Sequence, residues 1–356
     1  MLSSRAVLPP RSIPAFAPAL DRQVLNATLF GRQNRPNTVA ELASLVGEHF
    51  GRADATWVAD PEEALLGAVL ARLDAAGPGG PPLAAPAWGR PSFREVLQRF
   101  RQVHWLEPAE GRLDPGPAEL REALDAGARA VLLAPVAGDG SALPEATALC
   151  RDRGALLALD ARHSMGARVL EFGPEGYGDL ILLPVDGEPA PAPCHGAVLC
   201  GAPPAPTPRG APAPLGLTLA LSTVLSSLRD EPRLRRLWRP REARTDELPL
   251  LATTPASWTL AAASSRLEQS ASRAMQRARH AQHMRVNFGH VPAVELIIDP
   301  AGFQSAGAGF PVLARGREAV IRSLANQGIP TLHDLADWLA PEPERGPRAL
   351  DMSERA

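Results

Sequence analysis

Residues 155–201 read ALLALDARHSMGARVLEFGPEGYGDLILLPVDGEPAPAPCHGAVLCG, and the fold is decided by how three apolar runs in this stretch are placed. The first, Ala155 to Leu159, lacks polar alternation and ends on Asp160, the pattern of a strand buried on both faces whose charge leaves the core at its carboxyl end. The second, Asp179 to Pro184, and the third, Gly196 to Cys200, bracket a proline-laden crossing. In open parallel sheets ligands gather at the carboxyl ends of strands, so Asp160 marks the position of a site.

Outward from this stretch the chain alternates strands and helices. Thr38 to Phe50 carries apolar residues at helical spacing behind an N-cap threonine, with Glu41 three residues on. Thr56 to Ala59 reads as a short strand, then Asp60, Pro61 and Glu63 supply an N-cap, an N1 proline and an N3 acid for an apolar helix. Strands are predicted at Leu83 to Ala87, Gln102 to Leu106 and Ala128 to Val136, and helices within Gly111 to Leu124 and over Leu143 to Arg153. This alternation predicts an α/β fold, a three-layer large domain with a mainly parallel sheet. A long helix from Trp258 to about Asn287 leads to strands at Val294 to Asp299 and Phe310 to Leu313 and a helix at Arg317 to Thr331, a smaller C-terminal α+β domain. The expected division is an arm over 1–36, a large domain over 37–245, a small domain over 246–340 and a disordered tail over 341–356. Between them, 201–216 is low-complexity, 217–228 reads as an apolar helix, and 229–247 is an arginine-rich solvated or partner-facing surface.

Composition limits the function. With 356 residues, 45% hydrophobic and 21% charged, the chain buries a sizeable core, and a net charge of −2 gives no field for nucleic acid or anionic membrane. No apolar run reaches bilayer-spanning length, and prolines interrupt the first twenty residues where a signal peptide needs a continuous apolar helix. The three cysteines, Cys150, Cys194 and Cys200, have no zinc spacing and fit reduced thiols, so a cytoplasmic protein is expected. His280 and His283 share a helix face without a carboxylate or cysteine at matching spacing, which argues against a metal. All 37 basic residues are arginine. Arginine stays protonated at biological pH, so this chain has no side-chain amine able to form an imine or shuttle a proton.

The segments LDARHSMGA (Leu159 to Ala167), GDLILLP (Gly178 to Pro184) and HGAVLCG (His195 to Gly201) resemble, in order and spacing, the DegT-type sugar aminotransferases, fold type I enzymes of pyridoxal phosphate (PLP). The resemblance spans about 40 to 335. It implies that Asp160 matches the aspartate pairing with the pyridine nitrogen, that His163 matches a ring-contacting polar residue, and that Trp88 lies near the aromatic over the cofactor. It also places a phosphate-touching serine at Pro184, the Schiff-base lysine at Pro189, and the family's phosphate-holding Ser-Gly-Thr at the helix start carrying Asp60, Glu62 and Glu63. Each of these acids would repel a phosphate dianion by roughly 5 kcal/mol at about 6 Å and effective dielectric 20, before screening. His333 falls where the family often has a substrate-facing aromatic or histidine.

The resemblance therefore implies a pseudo-aminotransferase with vestigial pocket positions and no cofactor, PLP being the ancestral one. It would be paired with itself or with an intact paralogue, since sites in this family form at a dimer interface, or would hold a small sugar-type ligand. The alternative keeps an enzyme: a lysine-independent PLP sugar dehydratase with His195 near the lost lysine, or a cofactor-free catalyst in which Asp160 poises His163 as a base.

Overall fold

The computed structural model describes residues 36–73, 81–100, 102–135, 138, 140–169, 172–187, 196–203, 257–292, 294–297, 299, 301–307, 309–314, 316–326 and 337–340. In chain order the elements are α1 Val39–His49, β1 Thr56–Val58, α2 Pro61–Arg72, β2 Leu83–Pro86, β3 Trp88–Gly89, α3 Phe93–Leu97 and β4 Val103–Leu106. They continue with α4 Pro117–Asp125, β5 Ala130–Leu133, α5 Leu143–Arg153, β6 Leu156–Asp160, β7 Arg168–Val169, β8 Leu180–Leu183 and β9 Ala197–Cys200. The last are α6 Ser257–Phe288, β10 Val294–Leu296, β11 Phe303–Gln304, β12 Val312–Ala314, α7 Arg317–Asn326 and β13 Asp337–Trp338. The regions predicted over 201–216, 217–228 and 229–247, apart from residues 201–203, and the arm apart from residue 36, the tail, Pro189, His195 and His333 lie outside the described residues.

The central sheet has seven strands in the order β1-β9-β8-β6-β5-β2-β4. Pairing is parallel from β8 to β4, and β9 runs against both its neighbours, β8 and β1. A parallel crossover needs a covering segment, usually a helix, whereas an antiparallel neighbour is reached by simple return. The link between β8 and β9 carries prolines at 184, 189, 191 and 193, which a helix interior rejects, and reversal is the solution that satisfies this sequence.

Strands β5, β6 and β8 lack polar alternation because both faces are covered. Val131, Leu133, Leu157, Leu159, Ile181 and Leu183 join one core cluster, which includes Leu42 and Val46 of α1, Leu120 of α4, Leu143 of α5 and Leu260 and Leu267 of α6. Their sequence neighbours Ala130, Leu132, Ala158, Leu180 and Leu182 join the other, with Leu65, Leu66 and Val69 of α2 and Phe93 and Leu97 of α3. The period-2 alternation of a strand thus separates one apolar run into two cores, which is the three-layer α/β arrangement expected from the sequence. Gly154 ends α5 at φ 62°, a left-handed conformation that turns the chain straight into β6.

Beyond the sheet, α6 runs 32 residues, about 48 Å at 1.5 Å per residue. Its first turns, Leu260 to Leu267, are buried on every side, while residues from about 271 onward alternate between exposed and half-buried positions. Three two-stranded antiparallel pairs complete the described structure: β10 with β12, β11 with β7, and β13 with β3.

The two expected N-caps differ. Thr38, with ψ 157°, accepts from the Glu41 amide at 3.2 Å. Asp60 holds the N-cap position before Pro61, but at ψ 88° its carboxylate makes no capping hydrogen bond. This corrects the N-cap read from the sequence: position and proline are right, and the exposed side chain bonds no first-turn amide. Asp60→Ala is therefore expected to change stability by about 0.5 kcal/mol or less, while Thr38→Ala costs about 1 kcal/mol, measured as paired urea denaturation midpoints.

Candidate functional site

Asp160 stands at the carboxyl end of β6, 2% exposed, where the sequence placed it. A buried carboxylate needs partners, and the next residues of the chain provide them. The turn after β6 lets the Arg162 amide donate to Asp160 Oδ1 at 3.1 Å. The guanidinium then closes on the same carboxylate, Nε to Oδ1 at 2.8 Å and Nη2 to Oδ2 at 2.7 Å, a two-pronged charge-assisted pair. Arg162 Nη2 also donates to Glu62 Oε1 at 2.5 Å, reaching across to the first turn of α2. Ser92, in the loop between β3 and α3, donates to the same Glu62 oxygen at 2.9 Å. From that loop Arg90 faces Asp160 Oδ2 at 3.7 Å.

Two carboxylates and two guanidiniums thus meet over the end of the sheet, and His163 adds an imidazole beside them. Burial pushes Asp160 up, but the charge and hydrogen bonds of Arg162, then Arg90 and His163, outweigh it and hold the carboxyl well below the usual carboxylate range. Glu62 is likewise held below its ordinary value: burial raises it, and Arg162 and Arg90 more than offset that. Arg162 is raised despite its burial, by Asp160 and Glu62. Burial first, then Arg90, pushes His163 down to about 4, with Asp160 opposing.

The sequence-derived site residues divide accordingly. Asp160, Glu62 and His163 come together. Asp60 lies outside the network with its side chain exposed. Glu63 turns to the surface, where it pairs with Arg99. Trp88 is half-buried in β3, whose backbone pairs with residues 337–338. Pro184 is buried directly after β8. The Asp160–His163 unit of the alternative reading is not formed as a hydrogen bond: the described hydrogen bonds of Asp160 all go to Arg162, and the imidazole is a weak base.

Arg162, Arg90 and Ser92 were not read from the sequence. Arg162 had a usable signal, an arginine two residues beyond a strand-end aspartate, which is the reach of an Asx-type turn. Nor was Arg266 of α6 anticipated, a fully buried side chain whose Nε lies 3.1 Å from Asp186 Oδ2, two residues past Pro184.

Solved structures define the fold class. The fold of this chain, a seven-stranded sheet between helical layers, is like that of several solved structures. The aminotransferase TlmJ from Streptoalloteichus hindustanus matches at TM-score 0.67 and 18% identity over 96% of this chain and 91% of its own. A DegT DnrJ EryC1 StrS aminotransferase from Brucella abortus matches at TM-score 0.64 and 16% identity over 94% and 87%. The GDP-4-keto-6-deoxy-D-mannose-3-dehydratase of E. coli, solved with hydrated PLP, matches at 0.63 and 16% over 90% and 85%. No family model matches the chain, and the curated proteins yielded no match. At these identities the likeness shows the fold, and it is the fold that the sequence motifs implied.

His163 gives the site a pH signature. Its unfolded pKa is about 6.5 and its folded value about 4, so below pH 6.5 the unfolded chain binds a proton that the folded one refuses. Folding stability is therefore expected to fall as pH drops from about 6.5 to about 4, by at most about 3 kcal/mol from this group. Urea midpoints of wild type and His163→Gln across that range check it: the variant's slope is expected to be shallower.

Proposed function

We propose that the chain is a non-catalytic member of the DegT-type sugar aminotransferase family. In this reading it is a pseudo-aminotransferase that acts as a dimer partner, with itself or an intact paralogue, or holds a small sugar-type ligand in a sugar or natural-product pathway. The observation that supports it best is the closure of Arg162 on Asp160. In the resemblance Asp160 is the partner of the cofactor's pyridine nitrogen, and here both carboxylate oxygens are taken by a guanidinium of the same chain.

The remaining positions do not fit PLP either. The chain has no lysine to hold it covalently, and Pro184 stands at the place of a phosphate-touching serine. At the α2 N-terminus, where amides and helix dipole would attract a phosphate, Pro61 removes one amide and the first turn carries Glu62 and Glu63. Glu62 points into the ion network rather than away from it. No reaction step is assigned to the site, because a locked Asp160 and a weakly basic His163 offer neither nucleophile nor base matched to neutral pH. The large domain would then run over 37–245 and the small one over 246–340.

The purified protein is expected to be colourless and to gain neither a near-visible absorbance band nor a borohydride-reducible adduct when PLP is added; an adduct in the site overturns the reading. On size exclusion with light scattering at micromolar concentration, a dimer is expected, alone or with a lysine-bearing paralogue. A monomer near the 37.7 kDa of one chain under both conditions counts against the partner role.

A further inference from the structure

We propose that Asp160 and Glu62 form a binding site for a planar cation, and that Arg162 is its built-in ligand. This rests on the reading above and adds what fills the site.

Asp160 and Arg162 are separated by one residue, so their pairing alone would be a local turn. Glu62 makes it a site, since it comes from another element, a hundred residues distant, and converges on the same guanidinium edge. The occupant is enclosed: the Arg162 side chain is 12% exposed, Glu62 13% and Asp160 2%. Ser92 donates to the Glu62 oxygen that receives Arg162, which fixes that carboxylate in the direction of the cation. The groups facing Asp160 are Arg162 and His163 from the turn after β6, Arg90 from the β3–α3 loop, and Glu62 from α2.

With Arg162 and Arg90 against Asp160 and Glu62, the charges balance. Without Arg162 one negative charge is left over, shared by two acids around a space shaped by a fork of N–H donors. Such a cradle selects a flat cation with donors along its edge, a guanidinium or amidinium, over a compact or spherical ammonium.

The test uses full-length R162A titrated with millimolar methylguanidinium chloride, with thermal unfolding followed at constant ionic strength against tetramethylammonium chloride. A saturable rise in Tm with methylguanidinium is expected in R162A, at least tenfold tighter than any response of wild type. Tetramethylammonium is expected to give none, and the double variant D160N/R162A to lose the response.

R162A is also expected to be less stable than wild type at pH 7, by a margin that narrows toward pH 5. A bare buried carboxylate has its pKa raised, so its cost is present above that value and is relieved as protons replace the cation. Equal responses of R162A and wild type, equal responses to the two cations, or a stability gap unchanged with pH would each overturn the proposal. If R162A does not accumulate as folded protein, R162Q is read by the same titration, and lack of a methylguanidinium response there overturns it equally. These measurements use no PLP, so they fail or succeed independently of the PLP adduct test on wild type.

Discussion

Placing a carboxylate inside a protein requires that its charge be met at hydrogen-bonding distance, and Asp160 imposes that requirement at the end of the central strand. In an apolar setting an unpaired carboxylate neutralises or destabilises the fold. The chain meets the requirement with its own arginine, two residues on, and the consequences spread outward. Glu62 accepts from the same guanidinium edge, Ser92 orients Glu62, and Arg90 balances the acid that Glu62 adds. Three parts of the chain, the end of β6 with its turn, the first turn of α2 and the β3–α3 loop, are joined by one ion network over the end of the sheet.

The same scaffold elsewhere holds PLP, as the dehydratase from E. coli shows. A sheet whose strands end together, capped by a helix N-terminus, provides a place for charge without specifying whose charge it is. In this chain the charges at that place, Asp160, Glu62, Arg162 and Arg90, satisfy each other. The two apolar cores stand apart from this place: no member of the ion network takes part in them.

The cores were legible because burial on both faces leaves an unmistakable trace, runs such as LLALD and LILL with no polar alternation. The capping threonine at 38 and the end of α5 at Gly154 were legible for similar reasons, one side chain and one conformation each. Asp60 was misread because a cap depends on ψ as much as on residue type. Arg162 escaped because arginine is the sole basic residue of the chain apart from histidine, so no single one stands out by identity. Arg90 and Ser92 escaped for a different reason: their roles exist only once β3 and α3 bring a distant loop against β6, and no local pattern encodes that approach. The reversal of β9 was implicit in the prolines that precede it, although they were read as a crossing rather than as a change of direction.

The pairing of residues 337–338 with Trp88–Gly89 also sets an order of events. Leu339 and Ala340 both donate backbone hydrogen bonds to Ala87, and both are buried. The segment that pairs with Trp88–Gly89, next to Arg90, is therefore made later than every strand of the central sheet. The members of the ion network, all between residues 62 and 162, are likewise synthesised before it. A chain synthesised only as far as residue 336 holds all seven strands of the sheet but lacks both the clasp and Leu339, a member of the second core.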